Sequence, residues 1–172
     1  MPAFTRAELD AAFEHYQQTV RRAAASGDWA LFAELFTEDA DYNEHAYGRF
    51  SGQHAIRRWV VRTMTSFPGS SMTSFPIGWH VVDEERGWIV CEVLNRMADP
   101  GDGSLHEEPN LTILHYAGGH RFSYEEDVYN PGRYLPMVTR WARVAAAHDR
   151  LPDSGRAWLD ALAPGWLAAA PR

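Results

Sequence analysis

The architecture of this chain follows from residues 88–129, which are WIVCEVLNRMADPGDGSLHEEPNLTILHYAGGHRFSYEEDVY. Polar and apolar side chains alternate there in three runs, with the two-residue period of strands that bury one face. A fourth run precedes them, so strands are predicted over Ser74–Val82, Trp88–Met97, Leu105–Tyr116 and Arg121–Tyr129. The links between the runs are short enough for hairpins, which predicts an antiparallel sheet.

Helical periodicity takes over on both sides of this sheet. Thr5 and Glu8 have capping-box spacing, and an apolar stripe at three- and four-residue steps follows from Leu9 to Ala24. Further elements are predicted as a helix over Trp29–Phe36, a short strand over Asp41–His45, and helices from Ser51 to about Thr65, over Tyr134–Asp149 and over Arg156–Leu162. The pattern predicts an α+β fold. Three N-terminal helices pack in a strongly curved, mostly antiparallel sheet, a cone-shaped α+β barrel, and a C-terminal helical extension follows.

The composition is that of a globular chain and excludes several classes of function. The 172 residues are 45% hydrophobic and 13% aromatic, enough for a large core in one domain, with or without an appendage. A net charge of −7 argues against nucleic-acid binding. All 16 basic residues are Arg, which excludes a Schiff-base lysine, and the single cysteine, Cys91, excludes an intrachain disulfide. There is no apolar stretch of membrane-spanning length and no signal-peptide pattern, so a cytoplasmic location is expected.

Four segments of the chain resemble a known family. They are Gly27-Asp28-Trp29, Leu35–Tyr42, Gly48–Gly52 and Tyr124–Pro131. In this order they resemble the nuclear-transport-factor-2-like superfamily and, within it, the SnoaL-like small-molecule proteins, which are related to ketosteroid isomerases, limonene epoxide hydrolases and polyketide cyclases. The resemblance implies a cone domain over residues 1–131, with the helical extension, 132–172, packed on the same domain. It also implies a homodimer, because the outer sheet face is often an interface in this fold.

The resemblance to ketosteroid isomerases assigns positions inside the cone. Glu44 lies where that family has its carboxylate base, and Trp59 lies on an aromatic pocket wall. Thr112 and Val20 stand where that family has a protonated Asp and the oxyanion-hole Tyr. The isomerase donors are therefore missing, and that activity does not carry over intact.

The resemblance to limonene epoxide hydrolases is also partial. Asp127 lies near a catalytic Asp of that family. Asn95 and Val93 stand where it has its second Asp and its Arg. Neither named activity is therefore implied as a whole.

Strand alternation gives an independent set of residues that share the inner face. If Glu44 points inward, so does Tyr42, and if Asp127 points inward, so do Glu125 and Tyr129. The predicted catalytic pair is Asp127 and Glu44, acting as acid and base, because burial and a second nearby carboxylate raise a carboxyl pKa. The predicted substrate-binding lining is Tyr16, Tyr42, Trp59, Val93, Asn95, Asn110, Thr112 and Tyr129.

Each of these residues also has a purely structural interpretation. Glu44 also fits a solvated strand-end carboxylate, and Asp127 fits a structural hydrogen-bond network with Asn95 or with a residue of the first helix. The aromatic residues fit an ordinary core. No metal or other cofactor is expected, because the histidines lack paired ligand spacing, but His80 is a possible acid–base residue in a cross-strand pair.

Three functions remain open at this point. The favoured one is a cofactor-independent enzyme that isomerises, cyclises, dehydrates or adds water to a small, mostly apolar molecule, polyketide-, terpenoid- or steroid-like. The second is a non-catalytic carrier or sensor of such a molecule. The third is a structural or interaction protein whose cone is filled by its own side chains. The extension is expected to cap the cone, cover the outer sheet face or join a dimer.

Overall fold

The computed structural model describes residues 4–168; residues 1–3 and 169–172, the two ends of the predicted units, lie outside the described residues. The helices in this range are α1 (Arg6–Ser26), α2 (Ala30–Ala33), α3 (Gln53–Met64), α4 (Pro131–Ala147) and α5 (Asp153–Leu162). The strands are β1 (Phe36–Glu44), β2 (Gly48–Ser51), β3 (Met72–Ser74), β4 (Ile77–Asp83), β5 (Trp88–Met97), β6 (Glu107–Gly118) and β7 (Arg121–Val128). The predicted α+β class, with helices held in a curved sheet, is confirmed.

The sheet is mixed, and one parallel pair decides what meets inside it. Its order is β2-β1-β7-β6-β5-β3, with β4 also paired to β5. The hairpins β5–β6 and β6–β7 are antiparallel, as the sequence predicts. β1 runs parallel to β7, and this pairing sets Tyr42 beside Glu125 and Glu44 beside Asp127. The first and last strands therefore bring their inward side chains to one place.

The N-terminal half of the sheet differs from the prediction. The helix predicted over Trp29–Phe36 ends at Ala33, and β1 begins at Phe36 rather than near Asp41. The apolar run continues through both elements, because Phe36 is fully buried although its backbone is already extended. Phe36 lies opposite Phe122 in the β1–β7 ladder. The short strand β2 was not predicted, since it has one paired neighbour and little burial.

Three other predicted elements are corrected. The run predicted as one strand over Ser74–Val82 is two strands, β3 and β4, separated by Phe75-Pro76; a proline lacks the N–H that a continuous ladder needs. α4 begins at Pro131 rather than at Tyr134, because the Asn130 side chain accepts from the Gly132 N–H and caps the helix. α5 begins at Asp153, three residues before the predicted start.

Two apolar clusters hold these elements. The larger one lies in the cone, where α1 and α3 bury residues such as Leu9, Phe13 and Ile56 against Ile89 and Leu114 of the sheet. The second lies under the extension and joins α4 and α5 to Phe67 and Met97.

The extension is anchored to the cone by a buried indole. Trp141 of α4 is 2% exposed and its Nε1 donates to the Ala98 carbonyl at 2.7 Å. None of the helices in residues 4–168 combines the length and apolarity that crossing a membrane requires.

Candidate functional site

A cavity of about 610 Å³ lies between the inner sheet face and the helices. This volume is within the range of small-molecule sites, so the cone is not filled by its own side chains. α4 and α5 contribute Tyr134, Leu135, Val138, Trp158 and Leu162 to its wall, so the extension borders the cavity. The structure places all ten residues of the predicted site in the same wall: Tyr16, Tyr42, Glu44, Trp59, Val93, Asn95, Asn110, Thr112, Asp127 and Tyr129.

Asp127 accepts hydrogen bonds from three neutral side chains. Tyr42 Oη donates to Oδ2 at 2.5 Å, and Asn110 Nδ2 and Thr112 Oγ1 donate to Oδ1 at 2.7 and 2.6 Å. The strand register explains the hydrogen bond from Thr112, because Thr112 lies opposite Asp127 in the β6–β7 hairpin. The structural interpretation of Asp127 predicted a hydrogen bond to Asn95 or to the first helix. The observed partners of Asp127 are instead Asn110, Thr112 and Tyr42.

The surroundings of Asp127 tune its pKa toward neutrality. Burial raises the pKa of this carboxyl to about 6, and the negative charge of Glu44 acts in the same direction. The hydrogen bonds from Thr112, Tyr42 and Asn110 favour the ionised form and limit the rise. A carboxyl with this pKa exchanges its proton readily at neutral pH, which is what general acid–base catalysis requires.

Glu125 is a second buried carboxyl that the sequence analysis did not include in the site. It lies two residues before Asp127 on the same strand face and is 1% exposed. Tyr16 Oη donates to its Oε1 at 2.9 Å, while Oε2 has no hydrogen-bond partner among the described residues. Burial, and then the Asp127 charge, raise the pKa of Glu125 well above its usual range. Strand alternation from Asp127 already placed Glu125 inward, and this was the signal available in the sequence.

Glu44 lies in the wall and is 5% exposed, so it is not a solvated strand-end carboxylate. Its Oε2 accepts from the backbone N–H groups of Ala46 and Tyr47 at 2.7 and 2.6 Å, and its Oε1 accepts from the Tyr129 hydroxyl. These contacts close the turn between β1 and β2 and fix the Tyr129 ring. Glu44 is therefore held on both of its oxygen atoms.

A polar chain leads from Asp127 to the extension. Asn110, which donates to Asp127, accepts from Asn95 Nδ2 at 2.7 Å. Asn95 Nδ2 also lies 2.7 Å from the hydroxyl of Tyr134, whose ring packs on Tyr129 at 4.9 Å between centroids. Tyr134 is the second site residue that the sequence analysis missed, since the periodicity of α4 did not show which face meets the cone.

Aromatic side chains form much of the remaining wall. Trp59 packs between Tyr42 and Phe50, with ring centroids 4.6 and 5.0 Å away, and its Nε1 has no partner among the described residues. His80, the possible acid–base residue, is exposed on β4 against Phe13 and does not belong to the cavity wall. The reason is its place at the edge of the sheet, away from the carboxyl groups.

Among solved structures, similar folds occur at low sequence identity. A protein with a ketosteroid-isomerase-like fold from Catenulispora acidiphila, in complex with trimethylamine, has a TM-score of 0.53 and 18% identity over 80% of this chain and 93% of its own. A candidate polyketide cyclase from Xanthomonas campestris has 0.53 and 15%, covering 74% and 96%. A nuclear-transport-factor-2-like protein from Anabaena variabilis has 0.55 and 14%, covering 76% and 95%.

No curated protein matches this sequence. The profile of the SnoaL-like domain matches residues 6–125, from α1 through β6 and into β7 as far as Glu125. The solved structures share the fold, and the profile covers most of the cone. On this evidence the chain belongs to the SnoaL-like domain family.

Proposed function

We propose that this chain is a cofactor-independent enzyme that transfers protons on a small, mostly apolar molecule. The observation that carries the proposal is Asp127, a cavity-lining carboxyl with a pKa of about 6 that three neutral donors hold in place. A polyketide-, terpenoid- or steroid-like molecule matches the aromatic wall and the volume of the cavity. The fold alone does not select a reaction, because it hosts many.

In this proposal Asp127 is the residue that takes and returns the proton. Three side chains fix its carboxylate, so little reorganisation accompanies the transfer. Glu125 stays neutral beside it, so the two carboxyls do not compete for one site. The role of Glu44 as the second acid–base residue stays a prediction. Its contacts favour a positioning role, in which it fixes Tyr129 against the substrate.

The neighbours support the small-molecule part of the proposal. One solved structure with a similar fold holds trimethylamine, and another is a candidate polyketide cyclase. Isomerisation, cyclisation, dehydration and water addition, including addition to an epoxide, all need a placed acid–base group of this kind.

The test is turnover by an isosteric variant. A thermal-shift screen with terpenoid epoxides, steroids and aromatic polyketides first selects a compound that stabilises the protein. We expect Asp127→Asn to keep the melting behaviour and the affinity for this compound and to lose turnover by roughly 100-fold or more. Glu126→Gln is the matched control, because this carboxyl lies on the same strand but pairs with His45 outside the cavity. Full turnover by Asp127→Asn would refute the proposal.

The pH profile gives a second check on the same assignment. If Asp127 acts as a base, turnover rises with pH through about 6, because only the ionised form accepts a proton. If it acts first as an acid, turnover falls through the same value. A profile without any inflection near this pH contradicts both roles of Asp127.

A second candidate function is a non-catalytic binding protein. The observation in its favour is that Val20 and Val93 both line the cavity, at the positions where the resemblance expected catalytic partners. This function predicts ligand binding without turnover in the wild-type protein. Asp127→Asn then changes the affinity and nothing else.

We also propose that the chain forms a homodimer through the outer face of its sheet. Trp88, His115 and Tyr124 stack across three strands there, with centroids 4.2 and 4.5 Å apart. Val81 and Leu111 lie on the same face and are exposed by 57% and 38%. An exposed apolar face of this kind is typical of an interface. The expected cytoplasmic location stays a prediction.

A further inference from the structure

Within residues 4–168, no basic side chain pairs with the carboxyl groups of the cavity. Every described hydrogen bond to Glu44, Glu125 and Asp127 comes from a hydroxyl, an amide side chain or a backbone N–H. Among the described lining residues the single basic one is Arg62, an exposed side chain on α3 that pairs with none of them. A buried carboxylate ordinarily has a charged partner, and the part of the chain that the structure describes supplies none here.

The contacts of Asp127 leave one acceptor position open. A carboxylate offers about four lone-pair sites. Oδ1 receives two donors and Oδ2 receives one, so one site on Oδ2 stays unused. Asp127 is also only partly buried in a wall that faces the cavity. A ligand therefore has room to offer one hydrogen atom to this carboxylate, and not several.

A second unfilled acceptor lies next to it. Glu125 Oε2 has no partner among the described residues, although the side chain is 1% exposed and belongs to the cavity wall. An orphaned buried oxygen is uncommon in folded proteins. Glu125 is neutral, so the negative potential on this strand face comes from Asp127, and the free oxygen of Glu125 is a second polar position to which no described residue donates.

The walls suit a positive centre with apolar substituents. Tyr42, Trp59, Tyr129 and Tyr134 line the part of the cavity around Asp127. The faces of aromatic rings attract cations, and they also bury alkyl groups. An anionic ligand, or a reaction that builds up negative charge, meets repulsion here and finds no oxyanion donor from a basic residue.

We infer that this cavity recognises an organic cation: a positive centre with alkyl or aryl substituents that directs a single hydrogen atom to Asp127. The positive charge has two possible sources, a fixed ammonium group on the ligand or a carbon centre that becomes cationic during the reaction. The inference rests on the proposed function for its site and adds the charge of the molecule bound there. It favours dehydration, cyclisation and epoxide opening through a cationic centre over isomerisation or cyclisation through an enolate.

The experiment is a charge series measured by calorimetry on the wild-type protein. The compounds are the N,N-dimethylbenzylammonium ion, its neutral isostere isobutylbenzene, the benzyltrimethylammonium ion without an N–H, and the phenylacetate anion. We expect N,N-dimethylbenzylammonium to bind roughly tenfold or more tightly than isobutylbenzene. Its N–H can donate a hydrogen bond to Asp127, and the aromatic rings attract its positive charge. Benzyltrimethylammonium falls between the two, and phenylacetate binds weakest.

The outcomes separate the inference from the proposed function. Equal or tighter binding of isobutylbenzene or phenylacetate, or no binding by any of the four compounds, overturns the inference. Loss of turnover in Asp127→Asn still supports the proposed function in that case. If the ammonium compounds bind and competitively inhibit turnover of a neutral substrate, the cation arises in the reaction. If they bind and no neutral compound does, the ligand carries a fixed charge.

Asp127→Asn and pH provide two further readouts. The variant removes the charge but keeps the shape, so it should weaken dimethylbenzylammonium binding roughly 30-fold or more and leave isobutylbenzene unchanged. Glu126→Gln should change neither. In the wild type, ammonium affinity should fall below pH 6 as Asp127 becomes protonated, while isobutylbenzene binding stays flat. The titratable groups that face Asp127 are Tyr42 and Glu44 of β1, Glu125 of β7, Cys91 of β5, Tyr16 of α1 and Tyr134 of α4.

Discussion

Glu125 links the site to the stability of the protein. Its pKa is raised in the folded state by burial, so between the usual Glu pKa and the raised one only the unfolded chain loses this proton. The free energy of unfolding therefore falls as pH rises in that window. Glu125→Gln removes the penalty, and we expect its advantage over wild type to grow as pH rises above the usual Glu pKa, by at most about 1.4 kcal/mol per unit.

Urea denaturation at a series of pH values measures this difference. Glu126→Gln is the control with the opposite sign, because the hydrogen bond from His45 lowers the pKa of Glu126. Its ionised form is the stabilised one, so the control loses stability above the usual Glu pKa. An advantage of Glu125→Gln that does not change with pH would contradict a neutral Glu125.

Single residues of the site were predictable to different degrees. The resemblance placed Glu44 and Asp127 inside the cone, and strand period then placed Tyr42 on the same face as Glu44. Both placements agree with the structure, because the side-chain period of a strand depends only on local geometry. The hydrogen bonds of Glu44 to Ala46 and Tyr47 were not predictable, since they depend on the turn before the unpredicted strand β2. Tyr134 was missed because its position depends on where α4 docks.

At the scale of elements, the contact between α5 and the cone is close enough to test. A Cβ at Gly155 would lie 2.8 Å from Phe67 Cε2 and 3.0 Å from Leu151 Cδ1. We expect Gly155→Ala to displace α5, to cost about 1–3 kcal/mol of stability and to weaken ligand binding, because Trp158 and Leu162 of α5 line the cavity. Ser154→Ala, at an exposed position of the same helix, is the control.

Melting curves and the affinity of the stabilising compound are the measurements for Gly155→Ala. Lost stability with unchanged affinity would mean that α5 is not needed for the cavity. Unchanged stability would mean that the Phe67 ring moves aside for the added methyl group without loss of free energy of unfolding.

Elements were predicted well where pairing is local and less well where it is not. The three hairpin strands β5, β6 and β7 follow from alternation and short links. The start of β1 was misplaced because Leu35 and Phe36 continue an apolar run that also fits a helix. The parallel pairing of β1 with β7 left no local signal, since it joins segments from the two ends of the cone.

At the scale of the whole molecule, the proposed homodimer predicts that the protein in solution has twice the mass of one chain. We expect the wild-type protein to elute as a dimer at micromolar concentration, and Val81→Glu combined with Leu111→Glu to elute as a monomer, because buried unpaired charges disrupt an apolar interface. Leu105→Glu is the control, since this leucine is 69% exposed in the link between β5 and β6. Light scattering on the eluted peak gives the mass, and a monomeric wild type would reject the dimer.

The parallel pair β1–β7 also fixes the order in which the site is made. Tyr42 and Asp127 are 85 residues apart, so their contact belongs to the slow, non-local class of contacts in folding. During synthesis β1 emerges early, whereas its partner β7 is complete only when nearly three quarters of the chain has left the ribosome. A chain stopped before residue 121 would hold Tyr16, Tyr42 and Trp59 of the aromatic wall but neither Glu125 nor Asp127. Because β7 also joins β1 to β6 in the sheet, the cavity wall and the two carboxyl groups of β7 are completed in the same step.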